Sequence, residues 1–417
     1  LIDAHDHQTS EVRFIESGNP TGPMQLISPR RFGHEYAVDH HGEDFLILTN
    51  SGGAEDFRLV TTPIATPQEA YWREVLPHKP GCLILDHTTF KNHLVRLERE
   101  NGLPRIIIRR FSDGAEHAIA FDEEAYSLGM SAGYEYDTTL LRFTYSSMTT
   151  PTQVFDYDME ARTRTLRKTQ EVPSGHNPAD YVTRRIEAPA ADGEMIPISI
   201  LYHKDTPLDG SAPVFLYGYG SYGIAIPASF TITRLSLVDR GFIFAVAHAR
   251  GGKDKGYRWY TGGKAQTKMN TFTHFVAAGE HLVKIGWTKR GRIVANGGSA
   301  GGMLMGVVAN LAPDLEGFVP ADGVYAGWLV DEPSAGGLHP GRRYPAAISV
   351  GTNPTFDDVD ARVVEAYVLD ETDLDLYGHH VEIQFVARVR GMVAFDSVDA
   401  LIARMNDDVA QVRRLLT

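Results

Sequence analysis

Short apolar runs parted by polar turn residues recur over residues 1 to about 170, and they predict repeated short strands. Asp44-Phe45-Leu46-Ile47-Leu48-Thr49-Asn50 is followed by Ser51-Gly52-Gly53 and then Phe57-Arg58-Leu59-Val60. His93 to Leu97 is followed by Glu100-Asn101-Gly102 and then Arg105 to Ile108. Leu140 to Tyr145 leads through Pro151 into Gln153 to Tyr157. Each pair reads as a hairpin with its own turn residues. The pairs recur roughly every 45–50 residues, the period of a four-stranded propeller blade. About three blades fit this length, fewer than a closed ring uses, so further blades are expected upstream. An irregular β-sandwich is the alternative reading.

Pro173-Ser174-Gly175-His176-Asn177-Pro178 has the composition of a linker, and the rhythm changes after it. Ile198 to Tyr202, Pro213 to Tyr217 and Phe242 to Ala247 are apolar strands. Thr271 to Ile285 carries Phe272, Phe275, Val276, Leu282, Val283 and Ile285, largely at helical spacing. Buried strands alternating with helices predict a mainly parallel α/β sheet. That rhythm stops soon after Asn310. Val324–Trp328, Tyr344–Val350, Val363–Leu369 and Val381–Arg390 are short β runs, parted by turns at Gly351–Pro354 and Tyr377–His380. From about Ser397 to Leu416, Val398, Leu401, Ile402, Met405, Val409, Val412, Leu415 and Leu416 form one apolar helical stripe. The expected organisation is multidomain: a partial β-propeller over 1–172, an α/β unit over 173–310, and a small β-barrel with a closing helix over 311–417.

A chain of 417 residues is too long for one ordinary core, which agrees with that division. The net charge of −13 disfavours nucleic acid or an anionic membrane as the main partner. No apolar run approaches a membrane span. Cys82 is the single cysteine, which rules out an internal disulfide and suits the reducing cytoplasm. The chain opens Leu1-Ile2-Asp3-Ala4-His5, with neither initiator Met nor signal peptide, as expected of a piece of something longer.

The chemistry concentrates at Ile293-Val294-Ala295-Asn296-Gly297-Gly298-Ser299-Ala300-Gly301-Gly302-Met303. An apolar run, a Gly-x-Ser-x-Gly turn and a small-residue helix start follow in order. That order predicts a nucleophile elbow, with glycines two residues either side of Ser299 because a side chain there would collide with a neighbouring element. The elbow presents the serine Oγ and aims the Ala300 N–H at the same point. A Gly/Ser-rich loop or a phosphate-binding turn is the plainer alternative. Tyr219 follows the strand ending at Tyr217, where α/β sites form, and is a candidate oxyanion donor or a packed aromatic.

Tyr217-Gly218-Tyr219-Gly220-Ser221-Tyr222-Gly223, Ala249-Arg250-Gly251-Gly252, Trp259-Tyr260 with Gly263-Lys264, Asn270-Thr271-Phe272 and Gly297 to Met303 closely resemble the oligopeptidase B branch of the prolyl oligopeptidase family. The resemblance runs from residue 1 to about 310. It implies an α/β-hydrolase under a propeller that admits short peptides, with cleavage after Arg or Lys and no cofactor. It makes Ser299 the nucleophile, and Tyr219 with the Ala300 N–H the oxyanion hole. Three departures stand out. The family's Arg-Gly-Gly-Gly-Glu-Leu-Gly loop reads Arg250-Gly251-Gly252-Lys253-Asp254-Lys255-Gly256 here, and His274 replaces the Asp usual after Asn-Thr-Phe. The family's catalytic Asp and His, and its acids for a basic substrate side chain, lie downstream in hydrolase sequence this chain lacks. The expected hydrolase is therefore truncated after the elbow and impaired. His274 reads as a surface helix residue, and His339, His379 and His380 as turn residues.

Ala321 to Trp328, Pro345 to Phe356, Val364-Glu365-Ala366-Tyr367, Asp375 to Gly378 and Phe385 to Met392 resemble bacterial riboflavin kinase, over roughly 309–417. The resemblance implies ATP-dependent phosphorylation of riboflavin to FMN, with Glu365 as general base and ATP and Mg as cosubstrate and metal. Asn310 matches the Asn of the family's Pro-Thr-Ala-Asn magnesium motif. Thr352, Asn353, Arg388 and Arg390 stand in the matching flavin and ATP segments. Val307 and Val308 replace the Pro and Thr, and the glycine-rich nucleotide loop before them is missing. The first strand of the barrel is missing with it. The expected partners are short basic peptides, and riboflavin or FMN for the C-terminal part. A catalytically dead chimera is the third reading. The two resemblances meet at Ala309 to Leu315, where a fusion junction is expected.

Overall fold

The computed structural model describes residues 1–6, 8–131, 133, 135–310, 320–331, 342–351, 363–371, 374, 376, 381–393, 395 and 398–416. They form two compact units, Leu1–Met305 and Gly306–Thr417.

In the first unit, a three-stranded sheet (Ile2–His5, Ser10–Phe14, Gln25–Ser28) precedes three four-stranded antiparallel meanders. These are Tyr36–His41 with Asp44–Thr49, Arg58–Pro63 and Arg73–Leu76; Cys82–Thr89 with His93–Glu100, Leu103–Arg110 and Glu116–Ala118; and Tyr126–Ser131 with Leu140–Ser147, Gln153–Asp158 and Thr163–Thr169. All three predicted hairpins are present within them. The Glu100–Leu103 turn puts Asn101 at φ 48° and Gly102 at φ 78°, the left-handed pair that a tight two-residue hairpin needs.

Strand Asp44–Thr49 shows why the sheets stack as blades. Phe45 and Ile47 pack with Val12, Phe14 and Ile27 of the preceding sheet. Leu46 and Leu48, on the other face, pack with Leu83, Ile84 and Leu94 of the next. Val95, Ile106 and Ile108 repeat the arrangement against Leu141 and Phe143. Each inner sheet is buried on both faces by its neighbours, which is propeller packing and not a two-sheet sandwich.

The region after the meanders carries β1 (Tyr181–Pro189), β2 (Met195–His203), β3 (Val214–Tyr217), α1 (Ile232–Val238), β4 (Ile243–Ala247), α2 (Tyr257–Thr261), α3 (Met269–Lys284), β5 (Ile293–Asn296) and α4 (Ala300–Asn310). The sheet order is β1-β2-β4-β3-β5. The pairs β1/β2 and β2/β4 are antiparallel; β4/β3 and β3/β5 are parallel. The sheet is thus half antiparallel, because β1 and β2 form a hairpin and need no helical crossover. The carboxyl ends of β3, β4 and β5 share one edge of the sheet. Strand β5 is outermost of the three and half-exposed, so its apolar run is less covered than the sequence suggests.

The second unit holds β6 (Gly323–Asp331), β7 (Arg342–Gly351), β8 (Val363–Val368), β9 (Val381–Arg390) and α5 (Val398–Leu416). The described strands make one antiparallel sheet in the order β8-β7-β6-β9. Tyr325, Tyr344, Ile348 and Val350 bury one face, while Val412 of α5 packs with Ala326 and Leu369 on the other.

Cys82 is buried in the second meander. Burial, reinforced by the Glu98 carboxylate, pushes its thiol up to about 11. Among the described residues no helix is long and apolar enough to cross a membrane. Phe143 is fully buried between two blades, so Phe143→Ala is expected to lower the stability of the first unit by about 3–5 kcal/mol, read from urea unfolding.

Candidate active site

Ser299 stands between β5 and α4 with φ 55°, in the left-handed region that a non-glycine residue rarely adopts. This is the sharp strand-to-helix turn the motif predicts. The Ser299 side chain is exposed. Ala300 opens α4, where no intrahelical carbonyl reaches its N–H, so that donor is available beside Oγ.

The flanking glycines are required by backbone contact. A Cβ on Gly297 would lie 2.6 Å from the Gly301 carbonyl oxygen and 2.9 Å from that of Gly218. One on Gly301 would lie 3.0 Å from the Gly218 oxygen and 3.7 Å from the Tyr219 Cα. Gly298 has open space around it. These contacts bring Tyr219 to the elbow, and the parallel register Tyr217↔Asn296, extended by Gly218 N–H donating to Asn296 O at 3.0 Å, is the cause.

The Tyr219 loop is held by the residue that precedes α3. Lys268 Nζ donates to the Gly220 carbonyl and, at 2.9 Å, to Ser221 Oγ. Burial pushes the Lys268 ammonium down from its usual range. Thr271 Oγ1 donates to the Arg250 carbonyl at 2.7 Å.

A second serine constellation lies on the other side of β4, and motif reading missed it. His248, just after β4, points Nε2 at Ser199 Oγ (2.8 Å) and Nδ1 at Asp254 Oδ1 (2.9 Å). All three residues are buried, and they border a cavity of about 80 Å³. His248 is thereby committed to Ser199. Asp254 belongs to the loop that departs from the family sequence, and its carbonyl also accepts the Gly102 N–H of the second meander at 2.8 Å. A His that ends an apolar strand six residues before an Asp was the available signal.

His274 is a correction. It was expected on the surface of α3, but it is 1% exposed, its ring 5.2 Å from that of Trp259. The residue lies on the same face as Phe275, Ala278 and Leu282. Burial, aided by the nearby Arg250 charge, pushes its pKa down to about 4. Arg250 itself pairs with Asp192 at 2.6 Å.

Comparison with known proteins finds three family matches. The model for the prolyl oligopeptidase N-terminal beta-propeller domain matches residues 1–170, that for the prolyl oligopeptidase family matches 228–328, and that for riboflavin kinase matches 287–416. The chain joins prolyl oligopeptidase sequence to riboflavin kinase sequence. The two matches overlap across 287–328, which includes the elbow. Dipeptidyl aminopeptidase BI of Pseudoxanthomonas mexicana is 40% identical over 307 residues, covering 73% of this chain and 42% of that protein. Protease 2 of Moraxella lacunata is 34% identical, covering 74% and 44%. Oligopeptidase B from Leishmania major superposes with a TM-score of 0.69 at 35% identity, over 75% of this chain and 45% of that one. The chain spans less than half the length of these relatives.

In the riboflavin kinase part, Glu365 and Arg390 line one cavity of about 450 Å³ between the sheet and α5. Ile402 and Met405 of the α5 stripe line it too, which explains why they are exposed while Val412 is not. Arg390 grips Asp408 through Nε (2.8 Å) and Nη2 (2.7 Å). Arg388 is not in that lining; its Nη2 donates to the Asp322 carbonyl at 2.7 Å. Thr352, Asn353, His339, His379 and His380 lie outside the described residues, as does the Asn310 side chain. Among the described residues, no three His, Cys, Asp or Glu side chains gather as a metal site.

Gly297→Ala is expected to abolish labelling of Ser299 by a fluorophosphonate, because only backbone could move aside, whereas Gly298→Ala keeps it; gel fluorescence of the two variants reads the contrast. His274 titrates near 4 folded and about 6.5 unfolded, so the unfolded chain binds the extra proton in between. Stability is full above about pH 6.5 and falls by about 3 kcal/mol as pH drops to 4. In His274→Leu that part of the fall is expected to vanish, measured by urea unfolding from pH 7 to pH 4.

Proposed function

We propose that the first unit carries the peptidase chemistry of the prolyl oligopeptidase family, with Ser299 as nucleophile. The observation that carries this reading is the left-handed Ser299 turn packed against the Tyr219 loop. Ser299 Oγ would attack the scissile carbonyl, while the Tyr219 hydroxyl and the Ala300 N–H receive the developing oxyanion. The substrates are short peptides, cleaved after Arg or Lys as the family resemblance implies. The relatives' own names, a dipeptidyl aminopeptidase and a protease, support peptides as the class.

The rate is expected to be low. A serine hydroxyl needs a base and an acid that orients it. In this chain the sequence beyond the elbow matches riboflavin kinase as far as residue 416. His248 is occupied by Ser199 and Asp254. Loss of triad members costs about 10⁴–10⁶ in rate.

A second reading rests on the cavity beside Glu365. Its apolar wall from α5, with one carboxylate and one buried Arg–Asp pair, suits a flat heteroaromatic ring with a polar tail, such as riboflavin. Glu365 would be the base for the ribityl hydroxyl, with ATP and Mg supplied through the segments holding Asn310, Thr352 and Asn353. The glycine-rich nucleotide loop is absent from the sequence, so flavin binding without efficient phosphorylation is the expected behaviour.

Labelling by a fluorophosphonate probe that disappears in Ser299→Ala supports the first reading, and its absence from the native protein sinks it. Hydrolysis of a short Arg ester at the rate of an intact oligopeptidase would show that a base had been recruited. Quenching of riboflavin fluorescence on titration, without FMN formation in the presence of ATP and Mg, is the expected result for the second unit.

A further inference from the structure

The Ser199–His248–Asp254 chain holds a base and an orienting acid, which the Ser299 elbow lacks. His248 Nε2 lies 2.8 Å from Ser199 Oγ, and Nδ1 lies 2.9 Å from Asp254 Oδ1. A carboxylate accepts only, so Nδ1 carries the proton and Nε2 turns its lone pair to the serine O–H. That is the polarity a serine nucleophile needs. The backbone supports it. Ser199 pairs with Val246 in the antiparallel β2/β4 register, and the His248 N–H donates to the Pro197 carbonyl at 3.0 Å.

A chain of polar groups that only tied two strands together would be packed over, as protein interiors are. This one ends on a cavity of about 80 Å³. Leu97, Leu103, Leu128 and Ile226 give the cavity an apolar wall. Pro227, also in the lining, is exposed, which puts that end at the surface. Arg99 lines the same cavity. Among the described residues its guanidinium pairs with no carboxylate. Asp254 is the charge that acts on it, from beyond ion-pair distance, and burial holds the guanidinium below its usual range. Nucleophile, base, orienting acid and cation thus border one enclosed space.

We infer that Ser199 and His248 are a second nucleophile and base, with Asp254 as their positioning residue, and that they hydrolyse esters of short acyl groups. Oγ bonds to the ester carbonyl carbon as its proton passes to Nε2. The oxyanion so formed faces the Arg99 charge. The bond from that carbon to the alcohol oxygen then breaks, and Nε2 returns the proton to the departing alkoxide. Water attacks the acyl-Ser199 carbon and gives a proton to Nε2. The carbon–Oγ bond breaks, Oγ takes the proton back, and the free acid leaves. Volume sets the substrate class, since 80 Å³ takes roughly three non-hydrogen atoms, the size of an acetyl group. The activity is independent of Ser299.

The test uses the full chain with Ser299→Ala, so that the elbow contributes nothing. The probe is 4-nitrophenyl acetate. Nitrophenolate release is read by absorbance, and the acetylated residue is located by peptide mass spectrometry. Release above the buffer rate, with acetyl on Ser199, is expected. It should fall to the buffer rate in Ser199→Ala, by about 100-fold in His248→Gln and by roughly tenfold in the part-exposed Arg99→Met. Asp254→Asn turns the imidazole proton to Nε2, so it should lower kcat and leave KM unchanged. The hexanoate ester should react far more slowly than the acetate, because its chain exceeds the cavity. No release, release that survives Ser199→Ala, acetyl on other residues and not on Ser199, or equal rates for acetate and hexanoate overturns the inference. The acetylated residue in the chain with native Ser199 and His248 decides the matter where a buried variant fails to fold. A dye-bearing fluorophosphonate is too large for this cavity, so its labelling still reports Ser299 alone.

Discussion

Four turns of the first unit touch backbone to backbone, and the site depends on that contact. The elbow at Gly297–Gly301 lies on Gly218. A Cβ on Gly251 would fall 1.8 Å from the Gly220 oxygen, and one on Gly263 would fall 2.4 Å from the Gly251 nitrogen. Each layer therefore has to be glycine where it meets the next. Peptide units packed this closely leave no room for side chains, and they pass position along with little slack. The place of Tyr219 relative to Ser299 is set by this stack more than by any single hydrogen bond.

The stack is anchored to the blades through residues 253–257. Asp254 reaches inward to His248 and Ser199, and Asp56 reaches up from the first four-stranded meander to the start of α2. Both carboxylates are buried and hydrogen-bonded, Asp56 through both oxygens and Asp254 through Oδ1, the arrangement in which a buried charge is tolerated. The propeller-like sheets thus do more than accompany the hydrolase region. They fix the loop on which Trp259, Tyr260 and Lys253 stand.

Strands and hairpins were legible because their signals are local. Phe45 to Thr49 alternates toward two neighbours, Asn101-Gly102 has room for one turn type, and the α5 stripe has one period. The elbow was legible because a glycine-flanked serine after an apolar run answers a steric need written within a few residues. The hidden part was nonlocal. His274 carries a surface-compatible side chain on a helix whose inward face only the partner sheet defines. The Ser199–His248–Asp254 chain joins positions 49 and six residues apart, and only the pairing of β2 with β4 brings them together. Half of the expected parallel sheet proved antiparallel for the same reason, since strand direction is decided by the connection and not by the strand.

The Cys82 thiol bears on a different question. With its pKa raised to about 11, about one molecule in 10⁴ carries a thiolate at neutral pH. The thiolate is the form that oxidants and electrophiles attack, and here it is also enclosed. As far as its thiol is concerned, the folded first unit is therefore little affected by the redox poise of its surroundings. A lone cysteine that suggested a reducing compartment would be equally at ease in an oxidising one.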